Sequence, residues 1–154
     1  MFPCRTLFCT GLLAALALSS PAQAAEPYAA KDMELYCVAV PTMDLTPEAA
    51  KSYNVERNPN RGLLTVTIVK KAKNGNGGTV PGQIYAGAIN QRNSLSNIPI
   101  REVWDGNSVY YLGEFQVSTP DTLRFLVNAN VLGRSMKSDF SSDFNAQQST
   151  ASSQ

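Results

Sequence analysis

Short extended segments, each alternating apolar and polar side chains, recur about every ten residues through most of this chain, and that rhythm dictates a β architecture. Seven segments have it: Met33–Val40, Leu63–Val69, Val80–Ile89, Leu95–Trp104, Ser108–Val117, Thr122–Val131 and Arg134–Phe144. In Leu63–Val69, Leu64, Val66 and Ile68 fall on one face while Thr65 and Thr67 fall on the other. Turn chemistry separates the segments, at Asn58-Pro59-Asn60-Arg61-Gly62 and again at Ser118-Thr119-Pro120-Asp121. Seven short strands with such punctuation predict an all-β, immunoglobulin-like two-sheet sandwich.

One short helix interrupts the pattern, expected within residues 44–53. Thr46 is placed to cap it, Pro47 suits a first helical position that has no use for an N–H, and Glu48 suits the first turn. Two prolines mark weak points in the strands. Pro81 suggests a strand start or an edge, and Pro99 an edge or a bulge, because neither residue can donate to a ladder.

The fourth and fifth segments form the clearest hairpin. Asp105-Gly106 suits a type I′ turn and Gly106-Asn107 a type II′ turn, and both predict the same faces. Ile98, Ile100, Glu102 and Trp104 then share a face with Val109, Tyr111, Gly113 and Phe115. Arg101, Val103, Tyr110, Leu112 and Glu114 take the other.

The N-terminus reads as an export signal. Arg5 precedes a 12-residue apolar run, Leu7–Leu18, too short to span a bilayer. Ser19-Ser20-Pro21 breaks that run, and Ala22-Gln23-Ala24 is the small-x-small pattern of a cleavage site. Residues 1–24 are therefore expected to be a signal peptide, residues 25–146 the β-sandwich domain, with 25–31 a loose leader, and residues 147–154 a disordered polar tail. The expected location is the periplasm, with secretion beyond it the alternative, and no membrane span remains after cleavage. Cys4 and Cys9 leave with the signal, so Cys37 has no partner for an internal disulfide. Inside an apolar strand it reads as a small buried hydrophobe.

Charge and residue types narrow the function. Of 13 basic residues Arg5 departs with the signal, and the 12 acidic residues all remain, which leaves the mature chain neutral. Neutrality gives no electrostatic footprint for nucleic acid. There is no histidine, so the commonest general base and metal ligand is missing. Glu102 and Glu114 fall on opposite faces of their hairpin and cannot work as a carboxylate pair. Glycines 75, 77 and 78 lie in a lysine-rich loop, residues 70–78, without the Gly-Lys-Ser/Thr of a phosphate loop. No catalytic, cofactor-binding or metal-binding residues are named, and no cofactor is expected.

The candidate interaction surface comprises Tyr36, Tyr85 and Tyr110 as an aromatic strip, with Arg101 and Glu114 on the outer hairpin face and Arg124 as a third member of their ion-pair network. The leading expectation is a non-enzymatic binding or accessory module that contacts a protein or cell-envelope component through an edge strand or loop. The alternative is a histidine-free enzyme or small-ligand-binding protein that uses Tyr, Arg and carboxylate groups. A purely structural self-associating module is a third reading.

The segment LTPEAAKSYNVERNPNRGLLTVTIVKK, with SVYYLGEFQVSTPDTLRF further on, resembles the exported bacterial family called domain of unknown function 4426. The shared features are a Leu-Thr-Pro-Glu helix start, a basic turn before a Gly-Leu-Leu strand, and an aromatic pair leading to Glu-Phe. The likeness runs from about residue 31 to 145. The first strand departs from the family's pattern, with Tyr36 and Val38 where His or Asn is usual. The resemblance implies an immunoglobulin-like sandwich in the periplasm or at the cell surface, and no activity.

Overall fold

The structure is a computed structural model and describes residues 28–30, 32–73 and 77–145. The expected signal peptide, the expected disordered tail and the middle of the lysine-rich loop lie outside the described residues. Among the described residues ten strands form: β1 Tyr28–Ala30, β2 Met33–Pro41, β3 Arg61–Lys70, β4 Gly78–Thr79, β5 Gln83–Ile89, β6 Leu95–Ile98, β7 Ile100–Asp105, β8 Ser108–Gln116, β9 Asp121–Val131 and β10 Arg134–Phe144. They make two antiparallel sheets. One runs β1-β2-β3-β8-β7, with β4 also paired on β3, and the other runs β10-β9-β5-β6. This is the two-sheet sandwich that the alternation predicts.

The inner faces of the two sheets meet in one apolar layer. Leu35, Cys37, Leu64, Val66, Ile68 and Val109 come from the first sheet, and Phe125, Val127, Ala129, Met136 and Phe144 from the second. Phe115 joins the sheets, its ring lying edge-to-face on Phe125 at 4.9 Å and on Phe144 at 5.5 Å between centroids. Among the described residues no buried side-chain nitrogen or oxygen lacks a partner.

A second, smaller core lies on the outer face of the first sheet. There Leu63 and Leu112 are buried with Val55, and Val40, Leu45, Tyr53 and Val103 pack around them. Residues 42–58 make this cover, and a buried threonine closes it. Thr42 Oγ1 accepts the Asn58 N–H and donates to the Asn58 carbonyl, both at 2.9 Å. Within the cover, the helix α1 spans Pro47–Ser52, and Thr46 Oγ1 accepts the Ala49 N–H as its cap. Asn54 ends the helix in the left-handed region at φ 51°. Its N–H bonds the Lys51 carbonyl, and the Val55 N–H bonds that of Ala50, the paired closure of a Schellman motif.

Three expectations change. The leader is not wholly loose, since β1 pairs with β2 through Tyr28↔Leu35. The third predicted strand begins at Gln83, beyond Pro81. The fourth is not one strand but two. Leu95–Ile98 pairs with β5 in one sheet, Ile100–Asp105 pairs with β8 in the other, and Pro99 is the crossing. A residue with no N–H cannot hold its place in a continuous ladder, so the chain changes sheets there. The hairpin faces themselves are as predicted: Trp104 opposes Val109, Glu102 opposes Tyr111 and Ile100 opposes Gly113. Its loop is Gly106-Asn107, with positive φ at Gly106 (57°) alone, as a type II′ turn requires.

The crossing needs a bare backbone opposite it. A Cβ on Gly113 would sit 2.5 Å from Ile98 Cγ2 and 2.6 Å from Ile100 Cδ1. Replacement of Gly113 by alanine should therefore destabilise the sandwich by about 1–3 kcal/mol, as overpacking does. Urea unfolding would show this as a lower midpoint at unchanged slope.

Candidate functional site

The five residues of the expected surface do not form one surface. Tyr36 and Tyr110 share the outer face of the first sheet. Tyr36 opposes Thr67, and the β3–β8 register sets Thr67 level with Tyr110, which opposes Val103. Tyr85 belongs to the other sheet, opposite Asn128, and is 68% exposed. Tyr36 is not a free contact group either. Its hydroxyl donates to Glu34, which also pairs with Lys71. Lys71 first, then the Tyr36 hydroxyl, hold the Glu34 carboxyl below its ordinary range.

Arg101 and Glu114 share a face, as the alternation requires, but do not meet. Arg101 lies opposite Leu112, and its guanidinium donates to the Tyr53 carbonyl beyond the end of α1. Glu114 pairs with Arg61 at 3.1 Å. The cover at residues 42–58 and the neighbouring strand β3 supply nearer partners than the two groups are to each other. Arg124 lies on the second sheet, where Asp139 receives it through both carboxylate oxygens, at 2.7 and 2.5 Å. The expected network of Arg101, Glu114 and Arg124 therefore does not exist.

Glu102 faces the other way, as its position predicts. It accepts Trp104 Nε1–H at 2.6 Å and the Tyr111 hydroxyl at 3.0 Å. The Tyr111 oxygen in turn accepts the Gly82 N–H at 2.8 Å. This carboxylate fastens the edge of β7 to the chain entering β5. Among the described residues no group of three or more His, Cys, Asp or Glu side chains is placed to hold a metal ion.

A concave feature lies where the chain changes sheets. Departure of the chain at Pro99 opens a cleft of about 410 Å³ between β6 and the end of β8. Its floor is apolar, formed by Ala88, Pro99, Phe115 and Leu123. Ser96 and Asn97 of β6, with Asn90 and Ser94 before it, make one wall, and Gln116, Ser118 and Asp121 make the other. The Arg61–Glu114 pair stands at the lip and is shared with a shallower hollow of about 350 Å³ beside Lys51, Asn54 and Glu56. A third hollow of about 230 Å³, lined by Arg92 and Pro120, continues past Asn90 and Asp121. The three hollows adjoin through these shared lining residues.

Local backbone chemistry shapes its walls. Asn90 Oδ1 accepts the N–H groups of Arg92 and Ser94, both at 3.0 Å, while Asn93 adopts φ 60°. The loop before β6 is thereby folded back against the cleft. Amides and hydroxyls dominate the lining, so it can both give and accept hydrogen bonds without a change of charge. Arg61, the one guanidinium in the cleft, is met by Glu114. Of the residues named from sequence only Glu114 lies here. Arg61, Asn90, Ser96, Asn97, Gln116 and Asp121 went unrecognised, for scattered neutral polar residues have no characteristic spacing. The one usable signal was Pro99.

The fold and this cleft define a small two-sheet antiparallel sandwich, closed by a sheet-switching strand and open beside it. No helix among the described residues is long and apolar enough to cross a membrane. The chain belongs to the family described as domain of unknown function (DUF4426), whose model matches residues 28–147. A crystal structure of a DUF4426 family protein, PA0388 from Pseudomonas aeruginosa PAO1, is similar at TM-score 0.66 and 18% identity, covering 80% of this chain and 97% of that one. FetP of uropathogenic E. coli strain F11, recombinantly expressed in the E. coli periplasm, is similar in fold at TM-score 0.57 and 12% identity, over 79% of this chain and 94% of its own. No curated protein matches.

Cys37 has no place in the cleft. It is 1% exposed, and burial pushes its thiol up to about 11 against a smaller lowering by the Ser138 hydroxyl. Iodoacetamide at pH 8 should leave the native thiol unmodified and label it fully in denaturant. The folded state keeps this proton above its ordinary value of 9.0, so its contribution to stability is present below pH 9 and is lost as pH rises towards 11. Thermal melts of Cys37→Ala should lack that part of the alkaline fall.

Proposed function

We propose that this protein is an exported, non-enzymatic binding module and that its partner enters the cleft beside Pro99. The observation that carries the reading is the composition of that cleft. It joins an apolar floor to walls mostly of amides and hydroxyls, with one carboxylate, Asp121, and with its guanidinium already met by Glu114. Such a site suits recognition, in which a few polar groups fix orientation and apolar surface supplies contact. Acid–base catalysis asks instead for a titrating group aimed at a reacting atom. Glu102 and Glu114 stand on opposite faces of the first sheet, and each is held by neighbours.

Export rests on the character of residues 1–24, and the fold it shares with FetP suits a periplasmic location. The partner is a protein or envelope component of that compartment.

The test places a photo-crosslinking amino acid at Ser96, in the wall of the cleft, or at Lys137, on the outer face of the second sheet, in the full chain expressed in its host. A discrete, mass-identified adduct from position 96 and none from 137 is the expected result. Equal adducts from both positions, or none from 96, would overturn the assignment.

A further inference from the structure

Resting on the cleft as binding site, we infer that its occupant is an extended, charge-poor peptide segment that pairs with the free edge of β8. The register between β7 and β8 runs from Asp105↔Ser108 to Ile100↔Gly113 and stops there. The β3–β8 register continues further, to Arg61↔Gln116. The last three residues of β8 therefore have a register partner on one side only.

The alternation of the backbone decides which groups point into the opening. Val109 N–H donates to Thr79 Oγ1, and Val117 N–H donates to the Asn60 carbonyl, both on the β3 side. Odd-numbered residues of β8 thus turn their N–H groups towards β3. Even-numbered residues turn theirs towards β7, in keeping with the Asp105↔Ser108 pair that flanks the two-residue loop. Gln116 consequently presents N–H and C=O to the cleft where β7 has left, and Glu114 presents its C=O, while the Glu114 N–H faces the Pro99 carbonyl. Pro99, next in line, has no N–H to give the Glu114 carbonyl.

An open strand edge inside a concave site is the geometry of strand addition, in which main-chain bonds supply affinity and alternate side chains supply selectivity. Glu114 to Gln116 covers about 7 Å, and over that length the Glu114 carbonyl and both main-chain groups of Gln116 are open to a peptide. Side chains on the inner side of that peptide would meet Phe115, Ala88 and Leu123. Those on the outer side would meet the Arg61–Glu114 pair. The Arg61–Glu114 charges at the lip satisfy each other and Asp121 leaves one carboxylate in the wall, which favours a segment with few charges, none of them acidic.

The experiment pans random dodecapeptides displayed on phage against the purified mature protein and synthesises the selected sequences. They should alternate apolar with uncharged polar residues and shift the backbone amide of Gln116 in a ¹⁵N spectrum. Methylation of peptide nitrogens one at a time should weaken binding at least about tenfold at alternate positions, where a main-chain bond is lost, and little between them. Gln116→Pro, which removes a donor from the edge, should abolish binding. Should that variant fail to fold, Ser96→Trp, which fills the cleft from β6, should do the same. Failure to select any peptide, uniform tolerance of methylation, or binding retained in a folded variant would overturn the inference. An adduct from position 96 with uniform tolerance of methylation would retain the cleft as the site and refute strand pairing alone.

Discussion

The crossing at Pro99 is the constraint on which the rest of the molecule depends. A proline within a strand interrupts its ladder, and here the interruption passes one continuous segment from the second sheet to the first. That segment closes one side of the sandwich and brings β6 and β7 to the edges of different layers. Gly113 makes the passage sterically open, because Ile98 and Ile100 occupy the space that any side chain would need. The same passage ends the pairing of β8 on that side and so creates the cleft. Closure of the fold and opening of the site have one cause.

The sandwich is held by packing. Cys37 is a free, buried thiol, and the layer between the sheets is a contiguous set of aliphatic and phenylalanine side chains. The edge-to-face contacts of Phe115 with Phe125 and Phe144 tie the end of β8 to the second sheet. The floor of the cleft is thereby part of the core, fixed in place however its walls move. The cover at residues 42–58 plays a parallel role outside, where Thr42 and the Schellman closure of α1 hold Val55 over Leu63 and Leu112.

Apart from β1, β4 and the division of β6 from β7, the strands were legible in sequence, as were the faces of the β7–β8 hairpin, the helix cap at Thr46 and the burial of Cys37, since each rests on periodicity or on local backbone chemistry. Long-range placement was not. Nothing between Leu95 and Trp104 says that the two halves of the segment join different sheets, though Pro99 marks where they part. Tyr85 has the same outward parity as Tyr36 and Tyr110, yet parity cannot tell which sheet a strand joins. Arg101 and Glu114 were correctly assigned to one face, but their true partners, the Tyr53 carbonyl and Arg61, come from segments some fifty residues away. The cleft was hidden for the same reason: its walls are drawn from four stretches of chain and carry no motif.

Backbone hydrogen exchange along β8 addresses the central claim most directly. With β7 absent beyond Gly113, the amide of Gln116 should exchange rapidly in the free protein, while those of Tyr110 and Leu112, facing β7, should be slow. Equal, strong protection of all three amides would mean that the β8 edge is already paired at Gln116, and the cleft would offer no strand edge.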